Sequence, residues 1–160
     1  ALVLDERQAG SLYDNGYYGK RRGKALLLSL IETAHLMSQN RIVVRSPTTG
    51  RRVSLKSLLR KASRIQPDFE LRLSAYGDLR AKGLIVKTGF KYGAHFRVYE
   101  ADPEKHHAKY LVHAVPEDYQ TIWPEVSRAV RLAHGVKKDI LFGRVAGDEV
   151  QYLRFRRVRP

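Results

Sequence analysis

The chain has 160 residues, 43% of them apolar, enough for one ordinary domain or two small ones with a true core. Thirty Lys and Arg stand against 16 Asp and Glu, a formal charge of +14, which favours a polyanionic partner, nucleic acid first. No cysteine is present, which excludes disulfides and thiolate zinc sites, and no apolar run approaches the ~18 residues that span a bilayer. No membrane partner and a cytoplasmic location are therefore expected.

The glycine-rich basic stretch 14–24 reads as a loop, and 26–39 as a largely apolar, buried helix. Residues 41–44 suit a short strand before the turn cluster Ser46-Pro47-Thr48-Thr49-Gly50. Leu55, Leu58, Leu59, Ala62 and Ile65 keep helical spacing behind a capping Ser54. Asp68 is placed to cap the next helix, whose apolar face is Phe69, Leu73, Tyr76 and Leu79 and whose end is Gly83.

Beyond this point the composition turns to β-branched and aromatic runs, with strands expected at 84–87, 95–100 and 109–115. Pro124 suits the first turn of a helix striped with Trp123, Val126, Val130 and Ala133 and stopped at Gly135. Strands at 138–145 and 150–156 flank Ala146-Gly147-Asp148-Glu149, a hairpin. The expected fold is α+β. A small helix-rich N-terminal α/β domain (1–69) precedes a C-terminal mixed sheet flanked by helices (70–160), of restriction-endonuclease type.

Metal chemistry finds no support in the residue pattern: His106 and His107 are adjacent and would diverge on a strand, and no His-Glu-x-x-His motif occurs. Gly83, Gly89 and Gly93 lack phosphate-loop spacing, so no nucleotide cofactor is expected. What remains is a basic protein rich in Tyr, His and Lys in its second half. RNA carries its own nucleophile, the 2′-hydroxyl. A protein that cuts it need only remove that proton, return one to the leaving 5′-oxygen and stabilise phosphate charge. A Tyr, a His and a Lys could share these tasks, and composition leaves open which ones.

The segment from Asp78 to Gly93 (DLRAKGLIVKTGFKYG), then His95-Phe96-Arg97-Val98-Tyr99, His107-Ala108-Lys109-Tyr110-Leu111-Val112 and 129–138 (AVRLAHGVKK) together resemble the archaeal tRNA-splicing endonuclease family. The resemblance covers about 69–160, with a weaker echo at 28–32 (LSLIE). It implies that Tyr99 is the general base for the 2′-hydroxyl, His107 the general acid and Lys138 the phosphate-stabilising cation. It further implies metal-free cleavage of precursor tRNA to a 2′,3′-cyclic phosphate and a 5′-hydroxyl, with no cofactor. Free phenol, of pKa about 10, makes a poor base unless a cation favours its phenolate.

By the same resemblance Arg131 and Arg157 clamp a bulged base, and Gly147, Asp148 and Glu149 form a loop that docks on another subunit. The expected assembly is a homo-oligomer, or a dimer of dimers with a smaller non-catalytic subunit. The stretch 45–52, with Arg45, Arg51 and Arg52, reads as an inserted RNA-contacting loop. The alternative is a non-catalytic RNA-binding or structural subunit of the same assembly.

Overall fold

The computed structural model describes residues 1–158, and the last two positions of the expected second domain lie outside the described residues. The chain divides into two compact units, Ala1–Leu73 and one from Ser74 onward.

The first unit is built on a three-stranded antiparallel sheet in the order β1 (Leu2–Val3), β3 (Ala25–Leu27), β2 (Lys20–Arg22). Helix α1 (Glu6–Asp14) is capped by Asp5, whose carboxylate accepts from the Gln8 amide at 2.7 Å. Residues 14–24 thus hold a strand rather than only a loop. Lys20, Arg21 and Arg22 are all exposed, so side-chain polarity hid a strand that backbone pairing to β3 creates. The expected helix 26–39 is likewise shorter: helix α2 (Leu30–Ser38) starts after β3. Its start is a capping box, with Ser29 Oγ accepting from the Glu32 amide at 3.3 Å and Glu32 Oε2 accepting from Ser29 N at 2.8 Å. Glu32 Oε1 also accepts from Gly19 N at 2.8 Å, so this buried carboxylate is held by backbone donors on both oxygens.

The strand expected at 41–44 does not form. The chain makes only an isolated bridge, Arg45 to Arg52, which closes the turn containing Pro47 and Gly50. Helix α3 (Leu55–Ile65) begins at Ser54, whose hydroxyl accepts from Ser57 N. Ala34, Ala62 and Phe69 pack together with Leu55, Leu58, Leu59 and Leu73.

Helix α4 (Phe69–Ala81) leads into the five-stranded sheet of the second unit, ordered β4 (Ile85–Thr88), β5 (Phe96–Tyr99), β6 (Tyr110–Pro116), β7 (Asp139–Ala146), β8 (Glu149–Phe155). All pairings are antiparallel except β6 with β7, which helix α5 (Trp123–Gly135) connects as a parallel crossover. Directly paired residues share a face, so the register sorts the sheet. One face turns Val86, Phe96 and Val98 inward; Phe96 meets Tyr76 of α4 edge to face, and Tyr152 bonds Asp78 at 2.8 Å. The other face carries Arg97, Leu111, Ile140 and Phe142, and against it α5 packs Ala133, Ala129 and Val130.

The two longer helices of this unit end alike. After α4, Leu84 N donates to Leu79 O and Gly83 N to Arg80 O, with Gly83 at φ +78°. After α5, Lys138 N donates to Ala133 O and Lys137 N to His134 O, with Lys137 at φ +55°. Both are Schellman stops, but in the second a lysine takes the left-handed place that glycine usually fills. Gly135, expected as the stop, is the last helical residue instead.

Candidate active site

Three chain segments reach one edge of the sheet. β5 ends there at Tyr99, whereas β6 and β7 begin there at Tyr110 and Asp139. Tyr110 is level with Val98 on one side and Asp139 on the other. Tyr99, His107 and Lys138 therefore arrive at the same edge, from the end of β5 and from the approaches to β6 and β7.

Each is delivered by a local device. Tyr99 sits in the last pair of β5 with β4, opposite Ile85, and is buried. His107 follows a turn centred on Pro103. There Asp102 Oδ1 accepts from Glu104 N at 2.9 Å, and the Asp102 carbonyl accepts from the amides of Lys105 and His106. His107 itself is exposed, and among the described residues its ring forms no hydrogen bond or ion pair. Lys138 is placed by the Schellman stop of α5. Its Nζ donates to the Val136 carbonyl at 3.0 Å and lies 5.6 Å from the centre of the Tyr92 ring.

Lys109, at the same edge, differs from Lys138. Its ammonium is held by both oxygens of Glu100, at 2.7 and 2.8 Å, and that hydrogen bonding, with a lesser contribution from Tyr110, raises its pKa above the ordinary lysine value. A lysine so paired is already neutralised, whereas Lys138 has no carboxylate in ion-pair reach among the described residues.

Tyr92 and Arg97 were not singled out by the sequence. Tyr92 closes a 3-10 turn (Phe90–Tyr92) that depends on Gly89, because a Cβ there would lie 2.7–2.8 Å from the Phe96 backbone and the Ala94 carbonyl. Arg97, two residues before Tyr99, shares its face. Its guanidinium carbon is 6.0 Å from the Tyr92 ring centre and 5.8 Å from that of Tyr99. The signal available in sequence was the period-two step from Arg97 to Tyr99.

The remaining expected residues are dispersed. Arg131 is exposed on α5, and Arg157 is exposed two residues past Phe155, which pairs with Ile140 at the site end of β7. Gly147 and Asp148 make the two-residue loop of the β7–β8 hairpin, closed by Ala146 and Glu149, with Gly147 at φ +56°. No group of three His, Cys, Asp or Glu able to hold a metal occurs among the described residues. No described helix is long and apolar enough to cross a membrane. A groove of about 740 Å³ along α3, lined by Lys56, Arg60, Arg64 and Glu70, lacks any Tyr or His and belongs to the first unit.

Residues 69–152 match the tRNA intron endonuclease catalytic C-terminal domain, and residues 1–59 match the N-terminal domain of the same family. The chain belongs to the tRNA intron endonuclease family. It is 37% identical to the tRNA-splicing endonuclease of Hyperthermus butylicus, over all of this chain and 94% of that protein. Against the tRNA-splicing endonuclease of Methanopyrus kandleri the identity is 38%, over 88% of this chain and 79% of that one. The Methanosarcina mazei tRNA-splicing endonuclease is 45% identical over 99% of this chain, but the chain spans only 46% of its length. The matched family thus includes relatives of about this length and others about twice as long.

Proposed function

We propose that this chain cuts precursor tRNA at intron boundaries in bulge-helix-bulge elements, leaving 2′,3′-cyclic phosphate and 5′-hydroxyl ends without a metal ion. The observation that carries this reading is the arrival of Tyr99, His107 and Lys138 at one sheet edge in a member of this family. The charge of +14 suits the substrate.

In this reading Tyr99 takes the proton of the 2′-hydroxyl, and the 2′-oxygen bonds to the adjacent phosphorus. The P–O5′ bond breaks as His107 gives its proton to the departing 5′-oxygen. Lys138 neutralises charge that accumulates on the phosphate oxygens between those two events. Attack and departure must lie in line, so base and acid should approach the phosphorus from opposite sides; Tyr99 comes from the end of β5 and His107 from the loop before β6. Residues 70–160 would form the catalytic domain. Arg131 and Arg157 would grip a bulged base, since guanidinium planes stack on bases. Gly147, Asp148 and Glu149 would dock on a second subunit, of the same chain or of a smaller non-catalytic kind, because a substrate with two cut sites needs two centres. The bridged loop 45–52 would add phosphate contacts that widen substrate range.

The test is cleavage of end-labelled precursor tRNA in excess EDTA by the wild-type chain, Tyr99→Phe, His107→Ala and Lys138→Ala. Cyclic-phosphate ends from the wild type, lost in all three variants, support the reading. Product that forms equally well from the variants, or only after a divalent metal is added, refutes it. RNA binding without product in any assembly would favour the non-catalytic subunit instead.

A further inference from the structure

Arginines on this sheet fall into two kinds. Arg144 uses all three nitrogens: its Nε donates to the Glu117 carbonyl at 2.9 Å, and its outer nitrogens reach Glu117 Oε1 and Gln151 Oε1 at 3.1 Å each. Arg154 is paired with Asp139. Arg97, on the same face as Arg144, is different. Its Nε is buried with no acceptor, and the residue forms no ion pair among the described residues. The rings of Tyr92 and Tyr99 flank it, and its neighbours across the sheet are Lys87 and Leu111, neither of which offers an anion.

A guanidinium cannot lose its proton, so half-buried Arg97 stays charged, with outer donors left open for an anion. Ring faces fix its plane but supply no hydrogen-bond acceptor. Nε is the enclosed nitrogen, and the outer pair is not enclosed. The same Tyr92 ring that flanks Arg97 also carries Lys138 Nζ, so two cations without carboxylate partners share one aromatic shelf beside Tyr99. A planar fork next to a point charge suits a tetrahedral phosphate, one grasping two oxygens and the other neutralising a third.

We infer that Arg97 is a phosphate-binding residue of this site, and that Tyr92 is the positioning residue that holds Arg97 and Lys138 toward the same phosphate. This rests on the reading that RNA is cut at this sheet edge. The ligand is a phosphodiester or cyclic phosphate on RNA, which the outer guanidinium nitrogens meet while Nε stays against the rings.

The experiment compares affinity for an RNA fragment ending in a 2′,3′-cyclic phosphate with affinity for the same fragment ending in a 3′-hydroxyl. The wild-type chain, Arg97→Ala, Arg97→Lys and Tyr99→Phe are each measured, with thermal unfolding as the control for folding. The expected result is that wild type and Tyr99→Phe prefer the phosphate end by at least about tenfold, while Arg97→Ala has lost the preference. Arg97→Lys, which keeps charge but not the fork, should retain about threefold of it and decides the matter if the alanine variant does not fold. In cleavage, Arg97→Ala should slow the saturated single-turnover rate about hundredfold or more. Absence of the preference in wild type, or its full retention in a folded Arg97 variant, overturns the inference. Failure of the cleavage reading is separate: it shows as undiminished cutting by the Tyr99, His107 and Lys138 variants.

Discussion

One sheet face carries polar side chains at both of its ends, and the two ends treat them oppositely. At the end remote from the candidate site, His95 Nδ1 accepts from the Ala114 amide at 3.0 Å and its ring meets His113 edge to face. His113 lies 5.6 Å from Phe142, and Arg144 donates from all three of its nitrogens to Glu117 and Gln151. At the other end, about 7 Å along the chain from His95, Arg97 has rings but no acceptor and His107 has solvent. The residue types are the same. What differs is whether the fold has used up their bonding capacity, and a group already satisfied has little left for a substrate.

That difference predicts a division of labour between stability and activity. The largest effect belongs to the open end: His107→Ala should lower single-turnover RNA cleavage by about 10²–10⁴-fold. Its denaturant midpoint should move by no more than about 0.5 kcal/mol of stability, because nothing in the fold rests on the ring. Arg144→Ala is the converse. It removes three hydrogen bonds from solvent-exposed partners and should cost about 0.5–1 kcal/mol in urea unfolding, with cleavage per folded molecule within about threefold of wild type. A large activity loss in Arg144→Ala without a stability loss would break the comparison.

On the opposite face, Tyr152 extends it to pH. Burial, helped by its hydrogen bond to Asp78, pushes the Tyr152 phenol well above the ordinary tyrosine value. The folded state therefore keeps the proton where the unfolded chain releases it. The resulting stability is fully present below pH ~10 and falls above it, by at most about 1.4 kcal/mol per pH unit. Tyr152→Phe should flatten that alkaline decline in urea midpoints measured from pH 8 to 11. A decline as steep in the variant would assign it to other groups.

The smallest effect concerns Lys137. Replacing this left-handed residue by glycine should raise stability by about 0.5–1 kcal/mol and leave cleavage intact, which would also separate it from its neighbour Lys138. Lost cleavage in Lys137→Gly would move the proposed phosphate role from Lys138 to Lys137.

Much of the second unit was readable from periodicity because its elements agree with their local propensities: β5, β6, β7, β8 and α5 all lie within two residues of the expected spans. The first unit was less readable where tertiary pairing overrode composition. Lys20, Arg21 and Arg22 look like a solvated run, yet their backbone completes a sheet. Ala25, Leu26 and Leu27 look like the start of a helix until Ser29 and Glu32 close a capping box behind them. At the site, family motifs pointed to Tyr99, His107 and Lys138. Arg97 and Tyr92 could not be told from ordinary surface residues, since their distinction is a missing partner, which only a folded arrangement reveals.

The parallel pairing of β6 with β7 has a kinetic consequence. Tyr99 and His107 lie on neighbouring, locally connected segments and can meet early in folding. Lys138 joins them only when α5 has folded back and the seven-pair parallel register from Tyr110–Asp139 to Pro116–Val145 has formed. Non-local closures of this kind are slow steps. During refolding, affinity for polyanions should therefore return ahead of the third corner of the candidate site, and RNA would be held before the proposed cut could be made.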